Sequence, residues 1–238
     1  MLTFAKRVVR ILLASKHMMS GEFEDAFSGP LVPTSCLAPV VVPGLAADHT
    51  SHQSLKLLSW NLLATPYVRP NRESEDEGLT RAKKQIEYVR QHSADIIGLQ
   101  EFWHASERLV GLWEDYAKGA GYILHLCPRT DGKRDGNALL IRASLCTAAP
   151  TFKAFHYNDW GSRVVQSAHL ELVGGQSLCV LQTHLTFPHS SAHDPVMRRH
   201  QGRKLAELSR TLTEAACVSL PGSIRCQVSY RGESLCDC

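Results

Sequence analysis

The sequence predicts an α/β fold in which sheets are covered by helices. Two observations carry that expectation. Short apolar runs of strand length, such as "LKLLSWNLLA" (55–64), "ADIIGLQ" (94–100) and "NALLIR" (137–142), alternate with longer segments whose apolar residues recur at helical spacing. With 238 residues, 44% of them hydrophobic and 21% charged, the chain also has the balance of an ordinary globular protein, enough for one good-sized domain plus an appendage.

The elements follow in order. Residues 29–54 hold four prolines and no clear period, so they read as a linker, and the folded domain is expected to start near Leu55. "LKLLSWNLLA" reads as a buried strand. "GLTRAKKQIEYVRQH" (78–92) puts Leu79, Ala82, Ile86 and Val89 on one helical face. "ADIIGLQ" reads as a second strand that stops at Gln100-Glu101. "ASERLVGLWEDYAKGAG" (105–121) spaces Leu109, Leu112, Trp113 and Tyr116 as a helix, ended by its glycines. "YILHLC" and "NALLIR" read as strands around the loop "PRTDGKRDG". "RVVQSAHLELV" and "SLCVLQTHL" read as a hairpin turning at Gly174-Gly175. A last helix is expected near Asp194-Pro195, with Asp as N-cap and Pro at the first position.

The net charge of +3 permits an anionic partner without pointing to one. No run is long enough to span a membrane. Eight cysteines at irregular spacings do not form a small secreted disulfide framework, which favours a reducing, intracellular setting for a soluble protein. The C-terminal "CDC" lacks the paired C-x-x-C knuckles of a zinc site. Residues 1–20 carry Lys6, Arg7, Arg10 and Lys16 and no acid, with Phe4, Val8, Ile11 and Leu12 close to one helical face. That fits an organellar (mitochondrial or plastid) transit peptide, and equally a basic leader without structure.

Three polar residues interrupt or end apolar strands: Asn61 in "LLSWNLLA", Glu101 after "IIGLQ" and His184 in "LCVLQTHL". Singly, each has an ordinary structural explanation: a hydrogen-bonded asparagine, a solvated strand-end glutamate, a satisfied core histidine. Together they suit phosphate chemistry. A buried charge is costly unless paired or holding a metal. Mg²⁺ takes one or two carboxylates and completes its shell with waters and substrate phosphate. Glu101 suits that ion, Asn61 a ligand water or phosphate oxygen, and a protonated His184 the charge developing on phosphate.

These segments resemble, in order and wording, the endonuclease/exonuclease/phosphatase superfamily: "SWNLLA" its first motif, "LQEFW" its metal-glutamate motif, "DGNALLIR" the glycine-plus-strand segment, and "QTHL" its histidine motif. "NDWGSRVVQSAHLELV" and "THLTFPHSSAHDPVMRRHQGRKLAEL" resemble more closely a plant and protist branch in which this domain precedes calcium-binding EF-hands. No EF-hand loop is found here, since "DGKRDG" lacks the ligand spacing and terminal glutamate.

The resemblance implies a four-layer α/β sandwich with its second half incomplete. The expected division is a basic leader and Pro-rich linker over 1–54, a partial family domain over 55–208, and a tail unlike the family over 209–238. It also implies a Mg²⁺-dependent phosphoric ester hydrolase, with Mn²⁺ as a substitute ion. Glu101 then binds the metal, Asn61 supports metal or phosphate, and His184 contacts the scissile phosphate. The substrate is a phosphoester of nucleic acid, phospholipid or inositol phosphate. The family's "GDxN" motif and closing Asp-His pair are not found: no asparagine follows Asn158, no histidine follows His200, and Asp237 is the one aspartate after Asp194. The abrupt change near residue 210 reads as a truncated domain, so impaired activity is expected. The alternatives are a catalytically dead module that binds phosphate or nucleic acid through Arg198, Arg199, Arg203 and Lys204, or a truncated product without function.

Overall fold

A computed structural model of the chain describes residues 8–14, 40–41, 54–68, 72–173, 175–186 and 193–214. The C-terminal tail from residue 215, the glycine at 174 and most of the proposed linker lie outside the described residues.

The first sheet is four-stranded, in the order β4 (Leu57–Asn61), β5 (Ile96–Trp103), β7 (Asp135–Arg142), β6 (Tyr122–Pro128). The second is also four-stranded, in the order β1 (Val8–Ala14), β10 (Ser177–Thr183), β9 (Val164–Glu171), β8 (Thr151–His156). A short pair, β2 (Val40–Val41) with β3 (Ser54–Leu55), precedes β4. Helices α1 (Glu75–His92) and α2 (Glu107–Gly119) cover the first sheet, and α3 (His193–Glu214) covers the second.

Neighbouring residues along the central strands point to opposite faces, and both faces are buried. Leu57, Ile96, Leu139 and Ile141 meet Ala168, Leu170, Leu178 and Val180 between the sheets. Leu58, Ile97, Leu99 and Leu140 meet Ile86, Val89, Trp113 and Tyr116 under α1 and α2. Val165, Cys179 and Leu181 pack with Leu205, Leu208 and Leu212 of α3. These faces build the four-layer α/β sandwich.

The elements depart from the sequence expectation at identifiable points. Helix α1 begins earlier, because Ser74 and Glu77 form a reciprocal capping box. Strand β5 does not stop at Gln100 but continues to Trp103. His184 lies just past the end of β10, not inside it. Helix α3 starts at His193, which puts Asp194 in its first turn. Strand β8 was missed because its two phenylalanines, Phe152 and Phe155, are three apart and break the alternation that marks a strand.

The N-terminal segment read as a helical face is a strand. Val8–Ala14 pairs in parallel with β10, from Val8 opposite Ser177 to Ala14 opposite Thr183. A short apolar run rich in β-branched residues, here "VVRILLA", fits a strand as well as a helix, and periodicity alone does not separate them.

The basic residues of α3 are not one solvated face either. Arg198 is buried and Lys204 donates to the Tyr157 carbonyl at 2.9 Å, which leaves Arg199 and Arg203 exposed.

Candidate active site

Asn61 ends β4 and sits opposite Gln100 of β5. The next residue, Glu101, is a bulge. Gln100 pairs with Asn137 and Phe102 with Gly136, so Glu101 has no partner across the ladder. Its φ of 51° lies in the left-handed region, unusual for a residue with a side chain. A bulge bends the strand and re-aims a side chain. Here it presents the carboxylate beside Asn61, whose Nδ2 donates to Glu101 Oε1 at 2.9 Å. The Ala64 N–H lies 3.3 Å from Oε2. Asn61 Oδ1 accepts from the Leu63 N–H at 2.9 Å, so both ends of the amide are engaged.

Helix α1 holds this loop from behind. Arg81 donates to the Leu62 carbonyl at 2.5 Å and the Leu63 carbonyl at 2.8 Å, and Gln85 donates to the Leu62 carbonyl at 3.0 Å. Arg81 is itself oriented by a two-point pair with Glu73. Such over-determination keeps the strained Leu63 (φ 57°) and Glu101 in place.

The second half of the site comes from the other sheet and its connections. His184 is buried, with Nε2 3.6 Å from Glu101 Oε1. Arg163 Nη1 lies 2.5 Å from His184 Nδ1. A guanidinium can only donate, so Nδ1 accepts and the ring proton resides on Nε2, facing Glu101.

Beside it, Arg129 grips the buried Asp135 through 3.0 and 3.1 Å contacts and donates through Nε to the Gly161 carbonyl at 3.0 Å. Tyr67 adds its hydroxyl to Asp135 at 3.1 Å. Burial, and then the neighbouring Arg129 charge, lowers the Arg163 pKa below its ordinary value. Arg163 Nε has no hydrogen-bond partner among the described residues. Burial, then the Asp135 charge, raises the Tyr67 phenol. Arg129, Asp135, Asn137, Arg163 and His184 line one crevice.

Gly136 is there because nothing larger fits. A Cβ at that position would come within 2.4 Å of the Cys127 carbonyl and 2.9 Å of His104 Nε2. Burial pushes the His104 pKa down to about 4.

The structure thus brings Asn61, Glu101 and His184 together. It adds Arg129, Asp135, Arg163 and Tyr67, which the sequence reading did not single out. The available signal was charge at strand boundaries: Arg163 directly precedes β9, and Asp135 opens β7. The loop holding Arg129 was weighed only as a calcium site.

Among the described residues, no group of three or more His, Cys, Asp or Glu side chains could hold a metal. That does not suit an all-protein cage. It does suit a hard ion that takes one carboxylate and leaves its other positions to water and phosphate. Glu101 fits that pattern: a largely buried carboxylate facing an amide, a backbone N–H and an imidazole, with no lysine or arginine in ion-pair contact among the described residues.

The sequence profile described as the Endonuclease/Exonuclease/phosphatase family matches residues 58–217. The chain belongs to the endonuclease/exonuclease/phosphatase family. An uncharacterized calcium-binding protein of Arabidopsis thaliana is 28% identical over 80% of this chain. The chain spans about half the length of that relative, 47%. Among solved structures, ANGEL2, a 2′,3′-cyclic phosphatase, superposes with a TM-score of 0.52 at 19% identity, covering 65% of this chain and 47% of ANGEL2. TDP2 from Caenorhabditis elegans gives 0.50 at 19% identity, covering 67% of this chain and 43% of TDP2. At that identity the likeness is one of fold, and it matches the layered sandwich described above. No helix among the described residues is long and apolar enough to cross a membrane. Among the described residues, Cys127 and Cys146 are free thiols.

Proposed function

We propose that this chain carries the metal- and phosphate-binding half of a Mg²⁺-dependent phosphoric ester hydrolase and that it turns over slowly by itself. One observation carries the reading: Glu101, a carboxylate with no lysine or arginine in ion-pair contact among the described residues, stands beside His184 and a crevice holding two arginines. The first arrangement suits a cation and the second an anion, which is how a metal-bound phosphoester divides its charge.

In this reading Glu101 holds the ion, and Asn61 fixes the carboxylate while its own oxygen is tied to Leu63. His184 donates from Nε2 to a non-bridging phosphate oxygen, kept in that tautomer by Arg163. Arg163 offers its unpartnered Nε to the same phosphate. When bound, Mg²⁺ would stabilise charge on the phosphoryl group and lower the pKa of a bound water.

Slow turnover follows because no positioned base stands in the site among the described residues. Asp135, the carboxylate that lines the crevice, is neutralised by Arg129 and Tyr67, and Glu101 is committed to the metal. General-base catalysis is typically worth about 10²–10⁴ in rate.

The test is purified chain with Mg²⁺ or Mn²⁺ and a panel of DNA, RNA, sphingomyelin and inositol phosphates. Weak hydrolysis that disappears in Glu101→Ala supports the reading. Robust turnover contradicts the slow-turnover reading, and hydrolysis insensitive to Glu101→Ala contradicts the metal assignment.

A further inference from the structure

Arg163 and His184 meet in the crevice from two separate segments. Arg163 closes the turn 157–163, where the Tyr157 N–H donates to its carbonyl at 3.2 Å, and His184 follows β10. The contact between them, Arg163 Nη1 to His184 Nδ1 at 2.5 Å, depends on how these two backbones lie against each other. The β9–β10 ladder stops short of both residues, with Thr183 opposite Val165 as its final pair. Past that pair, side chains must set the distance.

Helix α3 sets it through one fully buried residue, Gln201. Its Nε2 donates to Asp159 Oδ2 and, at 2.9 Å, to Thr186 Oγ1. Its Oε1 accepts from the Thr186 N–H at 3.0 Å. Asp159 accepts in turn from the Arg163 N–H at 3.3 Å through Oδ1, and from the Ser162 N–H at 3.0 Å through its carbonyl. One amide thus ties the turn that carries Arg163 to the segment that carries His184. Only a group that both donates and accepts can make all three bonds. The crossing is tight: a Cβ on Gly161 would lie 3.3 Å from Asp159 Oδ1 and 3.6 Å from Thr186 Oγ1. Lys204 holds the same turn from its other end, donating to the Tyr157 carbonyl at 2.9 Å.

We infer that Gln201 is a positioning residue: acting through Asp159 and Thr186, it holds Arg163 against His184 Nδ1 and so keeps the ring proton on Nε2. It stands behind the crevice, not in its lining. Site residues are held in their working geometry by outer hydrogen bonds of this kind. A buried glutamine that only satisfied its neighbours would stabilise the fold and have no bearing on the imidazole. The hold on the ring stands on the geometry above. The use of its proton on phosphate rests on the phosphoester reading.

The experiment is long-range proton–nitrogen correlation NMR of the histidine rings in the full chain, at about pH 8, above the ordinary histidine range. The His184 signals are assigned by their loss in His184→Gln. Arg163→Met removes the donor and defines where Nδ1 resonates without it. Gln201→Leu should move Nδ1 to that same position. Gln201→Glu sets a carboxylate against Asp159 and should move it too. Adding Asp159→Asn to Gln201→Glu exchanges donor and acceptor across one contact at constant charge, and should bring the resonance back. Leu208→Ala trims the packing of α3 on the second sheet, so it should lower the melting temperature and leave Nδ1 in place. Inorganic phosphate titrated into the same samples should bind Gln201→Leu about tenfold more weakly, the effect of one hydrogen bond to a charged group. It should bind Arg163→Met/Gln201→Leu no more weakly than Arg163→Met, because both changes act on one contact.

An Nδ1 resonance unmoved by Gln201→Leu overturns the inference. So does one moved as far by Leu208→Ala. If Arg163→Met does not fold, the exchange decides: a resonance that Asp159→Asn fails to restore in Gln201→Glu overturns the inference as well. Failure of the wild-type chain to bind phosphate would remove the phosphoester reading and leave the ring signal to judge Gln201. Phosphate binding with an unmoved ring signal would remove the role of Gln201 and leave the reading.

Discussion

The two sides of the site are built on opposite electrostatic plans. On the first sheet, Glu101 is fixed by neutral donors, the Asn61 amide and the Ala64 N–H. On the second side, the one carboxylate of the crevice, Asp135, is matched by Arg129, and Arg163 remains in excess. Among the described residues, one side carries a carboxylate with no lysine or arginine in ion-pair contact and the other an arginine with no carboxylate in ion-pair contact. Held apart in this way, the surplus charges make poor ion pairs with each other and good partners for a bound cation and anion.

The largest expected effect comes from breaking the matched pair. Arg129→Met leaves Asp135 buried with only the Tyr67 hydroxyl, and losing one partner of a buried pair costs about 3–5 kcal/mol. Chemical denaturation measures it. Arg129→Met combined with Asp135→Leu should recover much of that loss, since no orphaned charge remains. If the double variant is as unstable as the single, the pair is not the reason for the loss.

Glu101→Gln should behave oppositely. The amide keeps an acceptor for Asn61, so stability should change by less than about 1 kcal/mol while Mg²⁺-dependent hydrolysis is lost. A large fall in the unfolding midpoint would mean that Glu101 serves the fold.

Most of the fold was legible because the central strands of both sheets are buried on both faces, so they show as apolar runs. The three polar interruptions Asn61, Glu101 and His184 stood out against that background. The bulge at Glu101 was not legible. Nothing in "LQEFW" marks a left-handed residue, and a strand ending at Gln100 has the same sequence as one that bulges at Glu101 and continues. Arg129, Asp135 and Arg163 were missed for a related reason. They lie at strand boundaries, where charge is ordinarily solvated, and their burial arises only when the two sheets close together. The β1 strand was misread because seven residues are too few to separate the two periods.

Smaller effects sharpen the comparison further. Tyr67→Phe removes one donor from Asp135 and leaves Arg129 in place, so a loss of about 1 kcal/mol is expected in denaturant titration. A loss as large as that of Arg129→Met would show the hydroxyl, not the guanidinium, to be the main counter-group.

A further effect concerns pH. His104 titrates at about 4 when folded, against an ordinary value near 6.5. Between these values the unfolded chain binds the extra proton. The contribution of neutral His104 is therefore complete above pH 6.5 and falls as pH drops toward 4. His104→Gln should flatten stability over that window, measured by thermal melts. An unchanged slope would assign the acid sensitivity to another group.

The central claim is that Glu101 is a cation site facing a separate anion site, and metal titration calorimetry tests it most directly. Wild-type chain should bind one Mg²⁺ or Mn²⁺, Glu101→Gln should show no heat of binding, and His184→Ala should retain it, because the imidazole serves the phosphate. Equal binding by wild type and Glu101→Gln, or loss of binding in His184→Ala alone, would contradict the account.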